Sequence, residues 1–402
     1  MRPARLIEGA QRKEPGTTAM YEEAIEGFRL SPQQGRVWRL QELKSAHSYA
    51  AQAAAIIEGA LKPELLQQAI EQTINRHEIL RTTFRLLAEM EIPLQVIGGC
   101  NLVWRAEARP LKGNLEELQD DIESLLEAER QPPFDAKSGG VFRASLFDLT
   151  KGHSLLLITV PAFCADLLAL RNLLVEIGNE YEALVSGSQY EMEPMQYADI
   201  SEWENELLAA EDSNPGREFW RRRRADAQAA ARSFKLPYEK RDAATTSPRR
   251  MSSFQTTLPA TVTNLIEETA RTYDCSLPAI LLASWQALLW KLSGAELIQT
   301  GTAFDGRQYA ELETALGLLV RHLPISSHMK QSLSFAELAI QLDAEMNEAR
   351  KWQEYFFVED GAAPLDDAQQ TRVGFESAAW PPAFAAAGIS IRTLVLSSIC
   401  ES

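Results

Sequence analysis

A chain of 402 residues is long enough for two domains or lobes, each with a sizeable core, and its 45% hydrophobic and 24% charged content is ordinary for a globular protein. The formal charge of −16 argues against nucleic acid as the main partner. The four cysteines, Cys100, Cys164, Cys275 and Cys400, lack Cys-x-x-Cys spacing, and no two of the five histidines are spaced for a metal. Neither a zinc site nor a disulfide framework is expected, which suits a reducing compartment. Arg2, Arg5, Arg12 and Lys13 are followed by no apolar segment, and no apolar run reaches transmembrane length. The expectation is a cytoplasmic protein without a metal site.

Residues 1–27 are polar and read as a linker or loose arm. Ser31 and Pro32 supply an N-cap and a first helical residue for a helix running to Leu40. Ala50 to Ile57 reads as a strand. Lys62 to His77 reads as an amphipathic helix with Leu65, Leu66, Ala69, Ile70 and Ile74 along one side. Beyond it, Arg76, His77, Glu78 and Arg81 crowd a helix-to-strand junction, where His77 reads as a structural, hydrogen-bonded histidine. Leu94 to Ile97 fits a strand and Leu115 to Arg130 a helix. A Gly139–Gly140 turn then leads to a strand over Val141 to Phe147.

The most informative stretch runs from His153 to Leu184. Ser154 to Val160 is an almost unbroken apolar run, long enough for a strand buried on both faces, and Pro161 should end it. Leu167, Leu170, Leu174, Ile177, Tyr181 and Leu184 then fall on one helical face, with Asp166 at the favoured position for a carboxylate. The turn between them, Pro161 to Asp166, is well placed to present catalytic groups. It holds no His, Ser, Lys or Glu. Cys164 reads as a small buried apolar residue, since a reactive thiol needs a cationic or histidine neighbour and none is near in sequence.

Tyr197 to Trp203 starts another helix. The Arg221–Arg224 run follows an acidic helix (Glu202, Glu204, Glu206, Glu211, Asp212) and reads as a solvated, self-neutralising surface. From Arg221 to Arg250 the chain is polar and basic, the expected boundary between two halves. The second half repeats the style, with a strand over Ser253 to Leu258 and helices over Thr261 to Tyr273 and Leu277 to Leu292. The latter is apolar nearly all round and therefore expected to be buried. A strand over Glu296 to Thr302, a turn at Phe304 to Arg307 and a tail from Arg372 to Cys400 with two strand candidates complete the reading. Alternating strands and helices indicate an α/β sandwich.

Several segments, in order, resemble the condensation domains of nonribosomal peptide synthetases, within the superfamily that includes chloramphenicol acetyltransferase. Ser31 to Trp38 is similar to the family's first motif, and Arg76 to Phe84 matches its second almost letter for letter. Tyr197 to Trp203 fits its fourth motif and Gly317 to Pro324 resembles its fifth. The resemblance implies two chloramphenicol acetyltransferase-like α/β sandwich lobes in a V around a central cleft. The lobes would span residues 28–222 and 251–402, joined by a linker over 223–250. The second lobe would stop short of the family's last strand and helix.

The departure falls on the catalytic motif. The family carries two histidines, three variable residues, an aspartate and a glycine. Here those places hold Pro161, Ala162, Phe163 to Ala165, Asp166 and Leu167. In the family the second histidine supports amide formation, and its place is taken by Ala162. The resemblance gives Asp166 a structural role, paired with a buried arginine. Arg81 is the first candidate, with Arg76 and Arg143 behind it. Phe163, Cys164, His322 and Trp352 are candidates to line the cleft, whereas packing or surface roles are the simpler reading of His322 and His328. Lys351 to Phe356 stands where the family has a His-Gln start and a Pro-Phe.

The implied function is a catalytically impaired condensation-like domain. It would dock peptidyl or acyl carrier domains, and a tailoring enzyme or neighbouring modules besides. No cofactor would be permanently bound, the phosphopantetheine arm arriving on the carrier. The alternative is an active acyltransferase that forms an amide or ester from a carrier-bound thioester without the usual histidine. A thioester is already activated, and general-base help is worth only about 10²–10⁴-fold.

Overall fold

In a computed structural model, the described residues are 9–11, 22–24, 26–43, 49–86, 90–111, 118–130, 134, 142–149, 152–210, 213–237, 254, 256–356 and 373–398. Most of the expected N-terminal arm, the Gly139–Gly140 turn, Cys400 and the 238–250 part of the expected linker lie outside them. Two compact units interleave along the chain. The first comprises Met1–Leu207, Arg307–Leu319 and Trp380–Glu401, and the second comprises Leu208–Gly306 and Val320–Ala379.

The first unit opens with short strands β1 (Gly9–Gln11), β2 (Glu22–Ala24) and β3 (Phe28–Arg29), then α1 (Pro32–Leu43). There follow β4 (Ala50–Gly59), α2 (Pro63–Arg76), β5 (Thr82–Arg85), β6 (Leu94–Ile97), β7 (Leu102–Leu111) and α3 (Leu118–Arg130). The hairpin of β8 (Phe142–Leu149) and β9 (His153–Pro161) leads into α4 (Leu167–Ser186) and α5 (Tyr197–Ala209). Beyond the second unit's α6 (Asn214–Ser233), α7 (Ala260–Tyr273), α8 (Leu277–Ser293), β10 (Leu297–Phe304), β11 (Arg321–His328), α9 (Phe335–Lys351) and β12 (Gly374–Phe375), the chain returns with β13 (Phe384–Ala386) and β14 (Ile389–Ser398).

The main sheet of the first unit has the order β13-β14-β4-β9-β8-β7, antiparallel except for the parallel β7–β8 pair. At its centre β4 and β9 pair from Ala50 opposite Pro161 to Glu58 opposite His153. Both are apolar runs buried on two faces, as expected of interior strands. Side chains alternate across the sheet, so Gln52, Ala54 and Ile56 meet α3, where Ile122 and Leu126 pack on Ala54 and Ile56. The opposite face carries α4, and Gly178 is why that helix sits close: a β-carbon there would lie 2.5 Å from the Phe384 ring. A smaller sheet, β3-β6-β5, and the antiparallel β1–β2 pair also belong to this unit.

The β13–β14 hairpin turns on Ala387 and Gly388, both at positive φ (46° and 82°). Such two-residue turns need the left-handed region at both positions, and an alanine there is strained. Ala387→Gly should therefore stabilise the chain by up to about 1 kcal/mol. A raised urea midpoint would show it; a lowered one would mean that Ala387 is not strained.

The second unit stacks helices on the sheet β11-β10-β12. Its core joins Trp220 of α6 with Ile280, Leu282 and Leu289 of α8, Leu323 and Ile325 of β11, and Leu338 and Leu342 of α9. Gln286, fully buried, donates to Thr300 Oγ1 and to the Ile325 carbonyl. Two expectations are corrected. Among the described residues of Ser253 to Leu258 none is in a strand: no neighbouring strand pairs with them, and alternation alone cannot satisfy backbone groups. α8 is not buried all round, since Leu277, Leu288 and Leu292 are exposed. The basic run is neutralised at the surface as expected, although not by the helix upstream: Arg221 and Arg222 are exposed and pair with Glu218, and Arg223 pairs with Glu345. Glu202 of that helix is itself buried and bound by Arg29.

Candidate functional site

The turn after β9 is where the sequence places the site, and it is tightly held. All six residues from Pro161 to Asp166 are buried. The Ala162 N–H donates to the Tyr49 carbonyl (3.1 Å), the Cys164 N–H to the Pro161 carbonyl (2.9 Å) and the Asp166 N–H to the Gly317 carbonyl (3.3 Å). Gln34 of α1 donates to the Phe163 carbonyl (3.1 Å). The Phe163 ring lies 4.8 Å from Phe84 and 6.2 Å from Trp38, so the first two family-like motifs pack their aromatic residues on the turn. Cys164 has the character expected of it: burial pushes its thiol up to about 12, so it is protonated at neutral pH.

Asp166 is the hub. One carboxylate oxygen accepts the Ala169 N–H (2.8 Å) as the N-cap of α4, as the sequence indicates. The Leu319 N–H (2.9 Å) and both terminal nitrogens of Arg307 (3.0 Å each) reach the same carboxylate. Both side chains are 2% exposed. Arg307 also donates to the Ala315 carbonyl (3.1 Å), so one ion pair fastens the Arg307–Leu319 segment to the start of α4.

The expected partner is thereby corrected. Arg81 instead donates to the Gly98 carbonyl (2.7 Å) at the end of β6. Arg76 binds Glu176 (2.9 Å) and Glu180 of α4, and His77 lies 2.6 Å from the other Glu176 oxygen, which makes it a hydrogen-bonded structural histidine. Arg143 donates to the Glu129 carbonyl (2.9 Å) and lies 4.0 Å over the Phe134 ring, with burial lowering its pKa. Arg81 and Arg143 find acceptors within 17 residues and Arg76 finds its acceptors on α4, about 100 residues on, whereas Arg307 sits in a turn 141 residues from Asp166. Its only sequence signal is an arginine at the end of a short turn.

The fourth and fifth family-like motifs meet on the same segment. Tyr197 donates to the Leu318 carbonyl (2.7 Å) and shares a hydrogen bond with Ser31 Oγ (2.8 Å). Its ring lies against Gly317, whose φ of 144° and lack of a side chain permit the contact.

His322 and Trp352 belong to the second unit. His322 is half-buried on β11, opposite Ala303 of β10. Trp352 lies in an aromatic cluster, 6.0 Å from Phe219 and 5.9 Å from Tyr355, while its carbonyl accepts from Trp220 Nε1 (2.7 Å). Within this unit Trp352, Tyr355 and Phe356 pack on the core, while Lys351 is exposed; a β-carbon on Gly216 would fall 2.3 Å from the Tyr355 ring. Among the described residues no three His, Cys, Asp or Glu side chains are grouped to hold a metal ion.

This architecture is that of solved condensation domains. The first condensation domain of the calcium-dependent antibiotic synthetase superposes with a TM-score of 0.74, covering 93% of this chain and 84% of that one, at 17% identity. The X-domain from teicoplanin biosynthesis gives 0.67, covering 88% and 74%, at 23% identity. The Condensation domain family matches residues 25–359, and the chain belongs to that family. Tyrocidine synthase 3 from Brevibacillus parabrevis is 28% identical over 352 residues, which is 84% of this chain and 5% of that relative. The chain thus spans a small fraction of the length of such relatives.

Proposed function

We propose that this condensation domain acts in a nonribosomal peptide synthetase line as a platform. It receives the phosphopantetheine arm of a carrier domain and presents the cargo to neighbouring modules or a tailoring enzyme, without itself forming the amide or ester bond. The observation that carries this reading is the chemistry of the buried turn. An amine attacking a thioester must shed a proton, and the methyl group of Ala162 cannot take one. The Cys164 thiol is protonated, and Asp166 is engaged by Arg307 and two backbone N–H groups.

The test is product formation from an acyl-loaded carrier and an amine-bearing carrier, alongside calorimetric binding of the pantetheinylated carrier alone. Binding without product is expected. Ala162→His should recover no activity and Pro161→His with Ala162→His little. Ala162 is fully buried, so an imidazole must displace packed neighbours at a cost of about 1–3 kcal/mol, and a misplacement of about an ångström forfeits on the order of 10²-fold. Robust turnover by the unmodified chain would replace the platform with the histidine-independent acyltransferase. Absence of carrier binding would remove both.

A further inference from the structure

The turn after β10 carries a reactive pair of residues at the point where the chain passes from the second unit into the first. β10 ends at Phe304, opposite Arg321 of β11, and Asp305 and Gly306 follow. Asp305 is exposed, so water reaches it. Gly306 is held at a φ of 71°, and its N–H makes no hydrogen bond among the described residues. An aspartate carboxyl carbon can close a five-membered ring with the nitrogen of the next residue. A side chain on that residue shields the nitrogen, and glycine has none. Only Asp305 and Asp360 precede a glycine, no asparagine does, and Asp360 lies outside the described residues.

We propose that Asp305–Gly306 is a site of spontaneous isoaspartate formation that unfastens Arg307 from Asp166, a property independent of the functional reading above. The Gly306 nitrogen gives up its proton and attacks the Asp305 side-chain carboxyl carbon, and the carboxyl hydroxyl leaves as water. The resulting cyclic imide is opened by water at either carbonyl. Opening at the original main-chain carbonyl routes the backbone through the Asp305 side chain and leaves a free α-carboxylate. One water is lost and one regained, so mass and oxidation state do not change. The rerouted backbone is longer by one methylene, a bond of about 1.5 Å. Arg307 comes next, with both terminal nitrogens 3.0 Å from Asp166 oxygens and its side chain 2% exposed. A two-pronged contact in a packed site has no slack for such a displacement, since a separation of about 3.6 Å is no longer a hydrogen bond. The Leu319 N–H, bound to the same carboxylate, loosens with it.

The test uses the full chain carrying Asp360→Glu, which leaves one Asp-Gly pair, held in mildly acidic buffer at physiological temperature. A synthetic peptide of residues 301–311 beside it gives the rate of the bare chemistry. Peptide mapping with electron-transfer fragmentation tells isoaspartate from aspartate at equal mass. Isoaspartate should accumulate at residue 305 of the folded chain. Asp305→Asn should hasten the conversion, ammonia leaving in place of water. Asp305→Glu, which would need a six-membered ring, should abolish it. The Leu319 amide should lose hydrogen-exchange protection, and the urea midpoint should fall, in proportion to the isoaspartate content. The Asp305→Glu chain stored for the same time should show neither change. A residue 305 that is still aspartate when the peptide has equilibrated would overturn the proposal, as would an Asp305→Asn chain that converts no faster. So would isomerised molecules with unchanged Leu319 protection and midpoint.

Discussion

Asp166→Ala should destabilise the first unit by about 3–5 kcal/mol, because it leaves the Arg307 guanidinium buried and uncompensated. The same change removes the N-cap of α4 and the acceptor of the Leu319 N–H, adding about 1 kcal/mol for the cap. Two further variants separate these contributions. Asp166→Asn keeps a capping oxygen of the right length but no charge, so it should recover the cap and not the ion pair. Asp166→Leu with Arg307→Met removes both charges together and should be milder than Asp166→Ala, since buried pairs are costly to break but cheap to replace with apolar groups. Urea denaturation gives the free energies, and hydrogen exchange at the Ala169 and Leu319 amides reports the local loss. An unchanged midpoint with undiminished protection at both amides would show that the pair holds nothing together.

Gly317→Ala should cost roughly 2–6 kcal/mol, from two independent sources. A φ of 144° lies in a region that residues with side chains occupy only at about 1–3 kcal/mol. The added carbon would also fall 2.0 Å from the Tyr197 ring. That ring cannot swing away cheaply, being 1% exposed and tied through its hydroxyl to Ser31 and the Leu318 carbonyl. Overpacking of this kind typically adds about 1–3 kcal/mol. Gly187→Ala is the control, because Gly187 also has positive φ (71°) but nothing within 4 Å of its would-be β-carbon. It should lose only about 1–2 kcal/mol. Equal losses for the two variants would mean that the Tyr197 contact is dispensable.

How much was legible follows the range of the interactions. The β9–turn–α4 stretch was readable because its signals are local: an apolar run, a proline, a capping carboxylate and then a 3.6-residue period. The ordered motifs named the family. Residue identity alone also shows that position 162 carries no base, since an alanine methyl cannot take a proton whatever surrounds it. Misreadings arose where a local pattern needed a distant partner. Ser253 to Leu258 reads like a strand, but its described residues, 254 and 256–258, join no ladder. The apolar girth of α8 implied burial on all sides, while the unit supplies neighbours on one.

The sequence by itself determined the β9–turn–α4 succession, the capping role of Asp166, the family and the presence of alanine at residue 162. Only the tertiary structure decided that Asp166 answers to Arg307 rather than Arg81, and that β14 returns to pair with β4. It also revealed that Arg307–Leu319 packs with the first unit. The physical reason is that caps, turns and helical periods are satisfied within a few residues, so composition and spacing specify them. The entropy of closing a loop grows only logarithmically with its length, so a partner 141 residues away costs little more than a near one. Chain distance therefore ranks no arginine above another; burial and geometry do.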